Sequence, residues 1–134
     1  MAKSADSQQK KILIVDDHED LLEIYSTTLR RAGFDVLTAA LAMDGVELAK
    51  EKHPDLILLD IMMPEVDGLT ALKILKLDPV TASVPVVMLT NLPEESGMEQ
   101  AKQLGAVDYI LKVHLDPTTI VAKVHEFLGD GAAS

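Results

Sequence analysis

The chain has no cysteine, which excludes disulfide staples, thiolate metal sites and a cysteine nucleophile, and fits a reducing compartment. It also lacks any run of roughly eighteen apolar residues and any charged, then apolar, then small-residue leader, since Met1 to Lys11 is polar. We therefore expect a soluble, cytoplasmic protein without membrane association. Basic residues are scarce: Lys and Arg total 12 against 22 Asp and Glu, giving a formal net charge of -10 that repels nucleic-acid phosphates and disfavours direct DNA binding. No Gly-x-Gly-x-x-Gly follows the first apolar run, so the usual signature of a dinucleotide carrier is missing.

What is present fits one domain: 134 residues, 48% of them hydrophobic, suffice for a single core. Five short apolar runs recur, at Ile12 to Val15, Phe34 to Leu37, Leu56 to Leu59, Val84 to Leu89 and Val107 to Leu111. The first, third and fourth are nearly unbroken hydrophobics, as expected of central strands covered on both faces. Helical spacing fills the intervals. Leu21, Leu22, Tyr25, Thr28, Leu29 and Ala32 line one face ahead of Gly33, a residue suited to a left-handed helix end. Further helices are expected from Met43 to Lys52, Gly68 to Leu77 and Pro93 to Leu104, and after Asp116-Pro117, where Ile120, Val121, Val124 and Leu128 face a core. The helix from Pro93 carries Gly97 and few large apolar residues, so it should be the least stable. The expected layout is a polar tail over residues 1–9, a folded unit over 10–128 and a flexible tail over 129–134.

Strand and helix alternating five times give an α/β fold, a doubly wound five-stranded parallel sheet with order 2-1-3-4-5. That order places a crevice at the carboxyl ends of strands 1 and 3. Asp16-Asp17 follow strand 1, Asp60 follows strand 3, Thr90 strand 4 and Lys112 strand 5. Gathered carboxylates repel one another, and a hard cation with oxygen ligands, Mg²⁺ foremost and Mn²⁺ as a substitute, relieves this. Mg²⁺ commonly completes its shell with a phosphate, which points to phosphoryl chemistry. In such a site Asp60 supplies an in-line nucleophile, the metal and Lys112 neutralise the transferred group, and Thr90 donates a hydrogen bond.

Four stretches carry a resemblance: Ile-Leu-Ile-Val-Asp-Asp at 12–17, Asp-Ile-Met-Met-Pro-Glu-Val-Asp-Gly at 60–68, Leu-Thr at 89–90 and Gly-Ala-Val-Asp-Tyr-Ile-Leu-Lys at 105–112. Over about residues 10–128 the chain resembles the receiver domain of bacterial two-component response regulators, with its flavodoxin-like fold. The resemblance implies that Asp60 is phosphorylated by a histidine kinase, a histidine phosphotransfer protein or a small acyl-phosphate donor. It implies Mg²⁺ bound by Asp17, Asp60, the Met62 backbone carbonyl and, through water, Asp16, with Lys112 on the phosphoryl group. It further implies that Thr90 and Tyr109 rearrange on phosphorylation. The face formed by helix 4, strand 5 and helix 5 would then control a downstream target or a fused output domain, or support a phosphorylation-dependent homodimer. Apart from its own phosphoryl transfer and dephosphorylation, such a domain is not an enzyme.

Three departures from the family pattern stand out. Asn91 replaces the usual small residue after the strand-4 hydroxyl, narrowing access to the site. Val113 replaces the usual proline after the lysine, so a trans Lys112-Val113 bond and a rearranged loop before Pro117 are expected, because a cis bond without proline costs roughly 3–4 kcal/mol. Met62 and Leu92, at positions that tune dephosphorylation in the family, cannot orient water, which implies a long-lived acyl phosphate. His18 is expected at the pocket rim rather than as a ligand, and His53, His114 and His125 lack partners at ligand spacing. Competing readings are an aspartate-nucleophile phosphohydrolase, which lacks its second acid two residues after the nucleophile, and a receiver-like interaction module that takes no phosphate.

Overall fold

The computed structural model describes residues 9–91 and 98–129. Five strands, β1 (Lys11–Val15), β2 (Asp35–Ala39), β3 (Leu56–Asp60), β4 (Val86–Thr90) and β5 (Asp108–Leu111), form one sheet in the order β2-β1-β3-β4-β5. Every neighbouring pair is parallel. The helices are α1 (Glu19–Arg31), α2 (Ala42–Lys52), α3 (Gly68–Leu77), α4 (Met98–Leu104) and α5 (Pro117–Leu128). The start of the expected fourth helix, with Pro93 and Gly97, lies outside the described residues, as do Leu92, most of the C-terminal tail and all but residue 9 of the N-terminal one.

Alternation along each strand divides the core in two. Leu13 and Val15 of β1, with Ile57, Leu59 and Met88, pack against α2, α3 and α4 through Val46, Ala49, Leu72, Leu75 and Ala101. Ile12 and Ile14, with Leu56, Leu58, Val87 and Leu89, pack against α1 and α5 through Leu22, Tyr25, Leu29, Ile120 and Val124. All five residues of β3 are buried, as are all five of β4. Burial of each such aliphatic side chain contributes about 2 kcal/mol, so the centre of the sheet is the most rigid part of the fold and the firmest base for a site at its edge.

Punctuation in the sequence sets the helix ends. Gly33 has φ +103 and lets Phe34 N–H donate to the Leu29 carbonyl at 3.1 Å, closing α1. Asp67 caps α3 by accepting from Thr70 N–H at 2.9 Å. Asp116 opens α5 with a reciprocal capping box involving Thr119, and Pro117 stands in its first turn. Strand 2 begins one residue later than the apolar run indicated and extends to Ala39, because Asp35 to Ala39 pair in register with the whole of β1. Tertiary pairing, not local hydrophobicity, decides that boundary.

Candidate functional site

The carboxyl ends of β1, β3, β4 and β5 converge on one cluster. The ladder between β1 and β2 continues one residue past β1, with Asp16 N–H donating to the Ala39 carbonyl at 3.0 Å. This fixes the Asp16 backbone, and its side chain is fully buried. Asp16 Oδ1 accepts from His18 N–H at 2.9 Å, turning the chain sharply into α1. Asp60 is the last residue of β3, and Ile61 N–H donates to the Leu89 carbonyl at 3.0 Å, so strands β3 and β4 stay paired beyond it. The Asp60 carboxylate is buried, and its Oδ1 accepts from Met62 N–H at 3.2 Å.

Gly68 locks the loop that follows. Its N–H donates to the Ile61 carbonyl at 2.8 Å, and a Cβ there would collide with the Asp60 carbonyl oxygen and come within 2.8 Å of Ile61 Cα. Only glycine permits α3 to begin so close to the strand end. The loop's return to the sheet is thus fixed by backbone contact.

Lys112 enters from the opposite side. Its Nζ stands 2.8 Å from Asp16 Oδ2 and 3.3 Å from Asp60 Oδ2, and its side chain is buried. The approach to Asp16 Oδ2 is an ion pair without hydrogen-bond alignment, whereas the Asp60 contact is aligned. No peptide bond among the described residues is cis, so Lys112-Val113 is trans as expected. The loop takes the form of a 3-10 turn over Lys112–His114, in which Val113 is exposed. Valine at this position therefore still leaves the lysine in the acidic cluster.

Burial pushes the Asp60 carboxyl up to about 6, with the Asp16 charge adding to the effect and Lys112 opposing it. The same field reaches beneath the site: burial first, then the Asp16 and Asp116 charges, push the Tyr25 phenol up. Asp17 Oδ1 is buried without a hydrogen-bond partner. A carboxylate oxygen in that position fits a hard cation, and one ligand atom from each of Asp16, Asp17, His18 and Asp60 lies within 4.8 Å of the others. The residues present therefore suit a divalent metal ion.

Thr90 ends β4 and is buried. A cavity of about 250 Å³ opens onto the cluster, lined by His18, Asp60, Met62, Asn91 and Lys112. Tyr109 lies farther out on β5, half-buried, with Lys102 Nζ 5.6 Å from its ring centroid. The structure thus brings Asp16, Asp17, Asp60 and Lys112 together, with Asn91 at the mouth and Tyr109 apart from them.

His18 is the residue that sequence reasoning undervalued. Its ring is half-exposed, as a rim position requires, but Nδ1 points into the cluster, 2.9 Å from Asp16 Oδ1, 3.5 Å from Asp17 Oδ1 and 3.2 Å from Lys112 Nζ. Adjacency to the acidic pair was the available signal. The direction of the side chain follows from the turn into α1, which spacing alone does not reveal.

The model of the response regulator receiver domain matches residues 12–125. The DNA-binding dual master transcriptional regulator RpaA of Synechocystis is 40% identical over 118 residues, covering 88% of this chain and 48% of that protein. The chain thus spans about half of that relative's length. The polar-differentiation response regulator DivK of Brucella ovis is 32% identical, and the match covers 90% of this chain and 98% of DivK. Among solved structures, a response regulator from Chloroflexus aurantiacus superposes with a TM-score of 0.82 at 30% identity, over 91% of this chain and 99% of that one. With strand order and sequence in agreement, this chain belongs to the response regulator receiver domain family.

Proposed function

We propose that the folded unit over residues 10–128 is a signalling switch that accepts a phosphoryl group on Asp60 from a histidine kinase, a phosphotransfer protein or a small acyl-phosphate donor. The observation that carries this reading is the Asp60 carboxylate: buried, ion-paired to Lys112 at 3.3 Å, and facing a 250 Å³ cavity at the sheet's topological switch point.

Asp17, Asp60 and the Met62 carbonyl would hold Mg²⁺, or Mn²⁺ in its place, with Asp16 acting through water. Bound there, the ion supplies charge neutralisation for the phosphoryl oxygens. Asp60 attacks phosphorus through a carboxylate oxygen as the donor's P–N or P–O bond breaks. Raised to about 6, its pKa still leaves it mostly ionised at neutral pH, and Lys112 favours that ionised form. Lys112 already spans Asp16 and Asp60, so it can follow the new negative charge without leaving the pocket. Thr90, one strand over, donates its hydroxyl to the phosphoryl group, and Tyr109 repacks with it. That motion changes the surface formed by α4, β5 and α5, through which the domain controls a protein target, an output domain or its own dimerisation. Met62 is exposed and carries no group that could orient water, in keeping with a long-lived acyl phosphate.

Intact-mass measurement after incubation with acetyl phosphate tests the reading. The expected result is a Mg²⁺-dependent gain of one phosphate in the parent and none in Asp60→Asn. An equal gain in the variant, or none in the parent with either acetyl phosphate or a histidine kinase, defeats it. The second outcome would favour a receiver-like interaction module.

A further inference from the structure

The metal centre carries a nitrogen donor that an all-oxygen Mg²⁺ site does not need. We infer that His18 Nδ1 is a ligand, and that the cluster of Asp16, Asp17, His18 and Asp60 takes a borderline divalent transition-metal ion through it. This rests on the reading above that Asp17 and Asp60 hold a divalent cation.

Two observations support it. The first is separation. Donors on adjacent corners of one coordination shell with bonds near 2.1 Å lie roughly 3.0–3.4 Å apart. His18 Nδ1 is 3.5 Å from Asp17 Oδ1, next to that range. All four residues can each offer an atom within 4.8 Å of the rest.

The second is an oxygen in want of a partner. Asp17 Oδ1 is buried without a hydrogen bond, and His18 Nδ1 lies 3.5 Å from it, beyond a well-made hydrogen bond. A cation held between the two serves both. The ring makes no capping bond to α1 and its side chain is 53% exposed, so folding does not require this orientation.

Imidazole favours Co²⁺, Ni²⁺ and Zn²⁺ and adds little for Mg²⁺, which prefers oxygen and retains its waters. The effect of His18 should therefore depend on the ion. The test is calorimetric titration of the full chain and of His18→Gln with Co²⁺ alone and with Mg²⁺ alone, supported by the visible spectrum of the Co²⁺ form. The expected result is a fivefold or greater loss of Co²⁺ affinity in His18→Gln, a changed Co²⁺ spectrum and Mg²⁺ affinity within twofold of the parent. A smaller loss for Co²⁺, or a parallel loss for both ions, overturns the inference. Thermal melts in EDTA confirm that the variant is folded. Failure of the parent to bind Mg²⁺, or Mg²⁺ binding unaffected by Asp17→Asn, would instead overturn the underlying cation site and this inference with it.

Discussion

The two walls of the pocket are built differently. On the β1–β3 side, Asp16 and Asp60 are held by strand ladders that continue past them and by backbone N–H groups at 2.9 and 3.2 Å from their carboxylates. On the β4–β5 side, Lys112 projects from a 3-10 turn and is held by the charges it meets, at 2.8 and 3.3 Å. The acidic wall is thus preorganised by covalent and backbone geometry, while the basic wall is positioned by electrostatics and can respond when that charge changes. This asymmetry suits the proposed switch, in which a fixed acceptor faces a sensor free to follow the phosphate.

The largest effect comes from removing the Lys112 charge. Lys112→Met leaves Asp16 and Asp60 buried beside each other without their shared cation, and the expected cost in EDTA is about 3 kcal/mol by chemical denaturation. Mg²⁺ should stabilise this variant more than the parent, because the ion replaces the missing counter-charge. An equal Mg²⁺ increment in both would mean that lysine and metal site are not coupled, and the comparison of the walls would lose its basis.

Next comes the backbone of the acidic wall. Gly68→Ala forces a methyl group onto the Asp60 carbonyl and Ile61 Cα, where no flexible side chain can yield. The expected cost is about 2 kcal/mol, with a loss of Mg²⁺ affinity because the displaced loop carries Met62. A stability change below about 0.5 kcal/mol would show that the loop is less tightly fixed than its contacts imply.

These two residues differ in how far the sequence announced them. The sheet order and the convergence of Asp16, Asp17, Asp60 and Lys112 could be read because strand ends are marked by abrupt changes from apolar to polar, and topology then brings those ends together. The α3 boundaries at Gly68 and Leu77 were equally legible. That Gly68 also abuts the Asp60 backbone was not, since close approach is a property of tertiary packing. The inward turn of His18 was hidden for the same reason. So was Lys76, a lysine in α3 whose Nζ donates to the Ala82 and Val84 carbonyls at 3.1 and 2.9 Å while burial lowers its pKa. Polar side chains that bond to distant backbone leave no periodic trace.

The pH dependence of the acidic wall gives a smaller, signed effect. Asp60 has a native pKa of about 6 against an unfolded value of 3.8, so the native state binds the proton more tightly. Its contribution therefore falls as pH rises from about 4 to about 6 and stays low above that, a loss of roughly 1–2 kcal/mol after allowance for solvent screening at the pocket mouth. In EDTA, Asp60→Asn should remove this slope and be more stable than the parent at pH 7, with little difference at pH 4. A parent and variant that run parallel across the window would mean that Lys112 cancels the burial cost of Asp60.

The smallest expected change concerns the mouth, where the β4 side meets solvent. Asn91 is exposed and lines the 250 Å³ cavity without contributing to the buried cluster, so Asn91→Ala should alter stability by less than about 0.5 kcal/mol. Its removal clears one side of the path to Asp60. Phosphorylation by acetyl phosphate, followed as intact mass over time at saturating Mg²⁺, should accelerate a few-fold. If Asn91 instead steadies the donor on its way in, the rate will fall. A fall would place a positioning group on the wall that otherwise acts through charge alone, and the division between a preorganised acceptor and a responsive sensor would have to be redrawn at residue 91.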